Sequence, residues 1–373
     1  MNTKKGGLKI ALAGLAGISA LSIQPANAQS ATEINRQVVN EAIQSVIQSI
    51  RDQIQRRVAP GRAGVRPLRF SADGNKTEAY FDDTFGALGY AKMPTKAPVA
   101  SPAPSPPALM WGLSVTGSYD HQRTTIENFP TTAANTRAIV GTGDVTKIGI
   151  FTSSDALVVG VNGSGSRTTA DLTTTNSHGV GAFIAYINGG FSADFEFNAA
   201  WASADTSTPA SSVTILGITT VIPATSINTD TTSYTYSGNV QYKFDLPNRW
   251  WIEPTVGVSV THTTFDTAGA LSGDVTLVQG GVRFGTEVNW NGILFQPTFT
   301  GIAYSNVHES AGGVPVAVIA PNDEGQVWGR GAVKLNFVFN NNISAFIEGN
   351  IRGTNGTVDA LGYGGLIGAR VTF

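Results

Sequence analysis

The chain has no cysteine among its 373 residues, and only 13% of them carry charge. The first absence excludes disulfide scaffolds and thiolate metal sites, and it suits an oxidising compartment where a stray thiol is a liability. The second sets the chain at about half the charge density of ordinary globular proteins. Beyond the N-terminus there is also no run of about 18 apolar residues, which argues against a helical membrane protein. A formal net charge of −2 presents no basic field, so nucleic acid drops out as a partner. The four histidines, His121, His178, His262 and His308, are dispersed, so no metal-site spacing arises and neither metal nor cofactor is expected. Ser164 and Ser166 stand in a Gly-Ser stretch with no Ser/His/acid spacing to recommend them as nucleophiles, and the expectation is a protein without catalysis. Gly163-Ser164-Gly165 lacks the lysine and the strand-to-helix context of a phosphate loop.

What the chain does have is order along its length. Lys4, Lys5 and Lys9 precede an apolar stretch from Ile10 to Ile23, and Ala26-Asn27-Ala28 follows as a small-residue cleavage site. Residues 1–28 therefore read as a signal peptide for export. Residues 29–60 hold an amphipathic helix: Thr32 can cap it, and Val39, Ile43, Val46, Ile50 and Ile54 recur at three- and four-residue steps before Pro60-Gly61. One apolar stripe on a polar rod needs a partner, which can be another helix, a neighbouring segment or the wall of a lumen. Residues 61–109 read as a linker, with a short amphipathic stretch at 77–91 and a spacer carrying prolines at 98, 102, 104, 106 and 107.

From residue 110 to 373 the hydrophobic period becomes two. Phe191, Phe195, Phe197 and Trp201 share one face against Ser192, Asp194, Glu196 and Asn198, and Tyr234 to Asp245 alternates likewise. Short turn signals at 153–155, 188–190, 246–249, 289–292 and 340–342 alternate with long Thr/Ser/Asn/Gly-rich stretches near 121–144, 163–177, 203–232, 262–274, 306–325 and 353–359. Five short and six long connections join about twelve strands of roughly ten residues, the length that crosses a bilayer when tilted. The fold class expected is all-β: a closed antiparallel transmembrane barrel of about 12 strands, with an N-terminal helical segment, in the outer membrane and in contact with its lipid. Short turns are periplasmic in such barrels and long loops face outward. Arg283, Glu287, Lys334, Glu348, Arg352 and Arg370 fall on the polar face in mid-strand and are candidates to line the lumen. Trp250, Trp251, Trp290 and Phe339 stand near turns and suit an interfacial girdle.

The region from Trp111 to Phe373 resembles the autotransporter β-domain, the translocator of type V secretion. The resemblance rests on the strand rhythm, on Trp251-Ile252-Glu253-Pro254-Thr255-Val256-Gly257, on Gly280-Gly281-Val282-Arg283-Phe284-Gly285, and on Leu294-Phe295-Gln296-Pro297 followed by Gly301-Ile302-Ala303-Tyr304. Tyr363, Ile367, Val371 and Phe373 share one face of the last strand and look like the C-terminal signal read by the barrel-assembly machinery. The resemblance implies twelve strands, a helix threading the pore and an upstream secreted passenger. This chain departs from that pattern in two ways. Only residues 29–110 precede the barrel, and the Pro-rich spacer separates the helix from the first strand. The expected role is translocation or display of a short N-terminal segment, or a surface structural role; the alternatives are a small-solute channel and an adhesin acting through its outer loops. Either the 32–57 helix or the 77–91 segment could plug the lumen.

Overall fold

The structure, a computed structural model, describes Ile43, Ile47, Ile50 and Arg51. It further describes every residue of 109–373 except 127–130, 153–154, 171, 209, 216–217, 223, 267–271, 311–323, 341 and 357. The expected signal peptide, the 77–91 stretch, the Pro-rich spacer and all but four residues of the expected helix lie outside the described residues.

Twelve long strands follow one another: β1 (Leu109–Ile126), β2 (Thr132–Ile148), β3 (Asp155–Ala170), β4 (Thr173–Asn188), β5 (Phe191–Thr208), β6 (Thr225–Tyr242), β7 (Trp250–Phe265), β8 (Gly273–Thr286), β9 (Ile293–Ser310), β10 (Val327–Val338), β11 (Ile343–Thr354) and β12 (Val358–Thr372). Each pairs antiparallel with the long strand before and after it. β12 returns to β1, in register from Gly112 opposite Thr372 to Ile126 opposite Val358. The sheet is therefore a closed all-β barrel with no free edge along its wall. A separate two-stranded hairpin, Ser211–Ile215 with Ile218–Ile222, stands between β5 and β6.

Strict alternation explains the closure, because each strand has one face for lipid and one for the interior. Trp111 is 59% exposed, Val161 62% and Ile367 64%, whereas Thr136, Ser192 and Glu253 are at most 1% exposed. Apolar side chains point outward and polar ones inward, the reverse of a water-soluble core.

The five short turns lie where the sequence puts them, all at one end of the barrel. Asn291 and Gly292 both have positive φ, 50° and 84°, as a tight hairpin turn of primed type requires. The strands are longer than expected, 12 to 18 residues rather than about ten. Much of what reads as long loop is strand: β3 runs on to Ala170 and β4 begins at Thr173. Threonine accounts for this, since it favours the pleated backbone and its hydroxyl pairs across strands. Thr136 meets Thr168 at 2.9 Å, Thr173 meets Thr206 at 2.9 Å and Thr235 meets Thr261 at 3.0 Å.

Trp251 corrects the expected girdle. Trp250, Trp290 and Phe339 are 38%, 69% and 45% exposed, but Trp251 is only 3% exposed. Consecutive residues of a strand point to opposite faces, so Trp250 outside places Trp251 inside.

Candidate functional site

Near the short-turn end the interior stops being polar. Met110, Ile148, Ala156, Val158, Phe183 and Ile187, from β1 to β4, form one buried apolar cluster with Ile43, Ile47 and Ile50, each 0% exposed. Gly160 makes room for it, because a Cβ there would run into the Phe183 ring. The three isoleucines are helical in conformation and spaced i, i+4, i+7, so they present one stripe to this seat. Full burial of an isoleucine stabilises by about 1.5–3 kcal/mol, so the stripe is a substantial anchor.

Arg51 follows the stripe and turns to the opposite wall. One guanidinium nitrogen donates to Glu253 Oε2 and the other to Ser192 Oγ. Arg283 Nη1 donates to the second Glu253 oxygen at 3.1 Å and to Gln241 Oε1 at 3.2 Å. Ser192, Gln241, Glu253 and Arg283 come from β5, β6, β7 and β8, each within a few residues of the short turns. The Glu253 carboxylate thus sits between two guanidiniums with both oxygens occupied. Beside it, Lys243 Nζ lies 5.3 Å from the Trp251 ring and 3.4 Å from Glu287.

A second set of charges occupies the wall from β10 round to β2. Arg330 Nη2 donates to Glu348 at 2.6 Å, and Arg352 Nη2 to Asp120 at 2.6 Å and Gln122 at 2.9 Å. Arg370 on β12 reaches over β1 to grip Asp144 on β2 with two bonds, 2.6 and 2.8 Å. Gly112 lies beneath that guanidinium, which leaves no space for a Cβ. Lys334 Nζ rests 4.3 Å from the Phe346 ring. Buried pairs of this kind add little net stability, but removing one partner strands the other charge.

Of the six lumen candidates, Arg283, Lys334, Glu348, Arg352 and Arg370 are buried at 5–8% exposure. Glu287 differs: it follows the end of β8 and its side chain is 29% exposed, because the strand breaks at Thr286. The sequence reading missed Glu253, Asp120, Asp144 and Arg51. A signal for the apolar seat was present, since Ala156–Val161 and Phe183–Ile187 are apolar on both faces, which a wall between lipid and water does not need. On the outer face, Tyr363, Ile367, Val371 and Phe373 are 55%, 64%, 37% and 65% exposed. At the other end of the barrel His262 Nδ1 is 2.7 Å from Asp274 Oδ1, and Ser310 Oγ is 3.4 Å from Asp274 Oδ2. The carboxylate lies between histidine and serine, so the imidazole is not placed to take the Ser310 proton.

With twelve antiparallel strands closed around this interior, the Autotransporter beta-domain family model matches residues 111–350. The chain belongs to the autotransporter β-domain family. It is accordingly an outer-membrane β-barrel, with its short turns on the periplasmic side. Its fold is similar to that of the β-domain of the Bordetella autotransporter BrkA, at 14% identity and a TM-score of 0.50, over 69% of this chain and 98% of that one. The translocator domain of autotransporter NalP from Neisseria meningitidis aligns at 11% identity and a TM-score of 0.48, over 70% of this chain and 88% of that one. No curated protein matches the sequence. The autotransporter β-domain accounts for the barrel, and residues 29–110 lie upstream of the matched region.

Proposed function

We propose that this chain is an autotransporter-type translocator closed from within by its own 32–57 helix, and that what it displays or passes outward is the short segment around that helix. The observation that carries the reading is the burial of Ile43, Ile47, Ile50 and Arg51 against the barrel wall, with Arg51 on Glu253. An apolar stripe facing an apolar seat, with an arginine facing a buried carboxylate, is complementarity in both shape and charge. It favours the 32–57 helix over the 77–91 segment as the plug. Arg283, Lys334, Glu348, Arg352 and Arg370 then serve as the lumen lining, and Tyr363, Ile367, Val371 and Phe373 as the surface offered to the barrel-assembly machinery. The protein works without catalysis and without a cofactor.

The test is single-channel conductance in planar bilayers. The full chain is expected to conduct poorly, and removal of residues 29–110 to raise conductance several-fold. Equal conductance of the two would sink the plug.

A second role is favoured by β5 and β6, each 18 residues long. They run well past the roughly ten residues that cross a bilayer, which suits a surface structural element.

A further inference from the structure

The outer face of β1–β3 carries a charge arrangement that the barrel itself does not use. Arg137 on β2 lies directly opposite Arg167 on β3, and both are exposed. They share the face of Ile139, Val159 and Val161, which are 58%, 51% and 62% exposed. Directly opposed residues have Cβ atoms about 5 Å apart, and like charges there repel. No hydrogen bond or ion pair holds either guanidinium among the described residues. Asp155 shares that face at the far, periplasmic end of β3, where its carboxylate already takes the backbone N–H groups of Ile150, Phe151 and Thr152 and the Tyr186 hydroxyl. On the neighbouring strands the outward acids are Asp359 on β12, opposite Thr125, and Asp205 on β5, whose carboxylate already takes Asn228 Nδ2 at 2.7 Å. Arg123, further along β1, adds a third outward cation.

Depth decides what such a pair meets. Arg137 and Arg167 stand roughly a dozen residues from the periplasmic ends of their strands, Ile148 and Asp155, and about ten residues cross the hydrocarbon layer. They therefore sit where acyl chains give way to headgroups on the outer side. Tyr119, opposite Arg137, is 44% exposed and lies at the same level, as interfacial aromatics do. A guanidinium pair is matched by a phosphate, which accepts two parallel N–H bonds from each arginine and cancels their repulsion.

We propose that Arg137 and Arg167 form a binding site for the headgroup phosphate of outer-leaflet lipid. The site is independent of whether the lumen is plugged.

Full-length protein in detergent is offered a phosphorylated glycolipid or its dephosphorylated twin with the same acyl chains, and retained lipid is counted by native mass spectrometry. The phosphorylated lipid should be retained at least tenfold better. Arg137→Ser with Arg167→Ser should abolish that excess, and Arg137→Lys with Arg167→Lys should keep part of it; heat-dependent gel mobility identifies folded variants. Equal retention of the two lipids, or an excess that survives the double serine change, overturns the proposal. So does full displacement by 10 mM inorganic phosphate (roughly the level at which a free-ion site saturates), which would mark a site for the ion rather than the lipid.

Discussion

Glu253 is the residue on which the interior turns. It is 0% exposed, and its two oxygens serve two arginines from different parts of the chain. Glu253→Gln leaves two buried guanidiniums facing a neutral amide, and should destabilise the barrel by about 3–5 kcal/mol. Arg51→Ala removes one partner only and leaves Arg283 on the carboxylate, so its cost should be clearly smaller. Urea unfolding in detergent, read by tryptophan fluorescence, gives the order of the two; a larger effect for Arg51→Ala would contradict the pairing. This level was only half legible in the sequence. Alternation gives the face on which a charge lies, so Arg283, Lys334, Glu348, Arg352 and Arg370 could be named from spacing. Partners could not, because Arg370 meets Asp144 across an intervening strand, and nothing local to either residue records the other.

At the scale of elements, turn chemistry was legible and strand length was not. Asn, Gly and Pro mark the periplasmic turns because those backbones need positive or fixed φ. Threonine-rich outer stretches look like loops by polarity yet pair as strands, since a barrel tolerates a polar interior face along its whole length. The hairpin Ser211–Ile222 interrupts a ladder that already pairs Thr208 with Thr225. Replacing residues 209–224 by Asn-Gly should therefore leave the barrel intact, with unchanged heat-dependent mobility on gels and an unfolding free energy within about 0.5 kcal/mol of the parent. Loss of the folded band would mean that the hairpin nucleates β5–β6 pairing. The helix is the converse case. Ile43 and Ile50 were read as part of an apolar stripe and are buried, but Ile47, buried beside them, was not read as part of it, and periodicity alone did not say which surface receives them.

The whole molecule decides where the N-terminal segment ends up. Since the chain has no cysteine, one can be placed near Glu33 and probed with a membrane-impermeant maleimide on intact cells. Labelling is expected if the segment is displayed; labelling only after the outer membrane is permeabilised would leave a plugged, inward-facing barrel. The twelve strands and their sidedness were readable because lipid on one side enforces the period everywhere. The barrel's closure carries a kinetic cost that its static shape hides. Trp111 and Phe373 exchange backbone hydrogen bonds at 2.8 and 3.4 Å, so the first long strand finds its second partner only in the last. Among the described residues every other backbone pairing of the long strands is between successive strands, and this one alone joins the first to the last. High contact order of this kind makes folding slow and leaves two sticky strand edges open until the end. The seam from Gly112–Thr372 to Ile126–Val358 is thus the step at which an exported chain is most exposed to aggregation, and the step that a catalyst of insertion has most to gain by guiding.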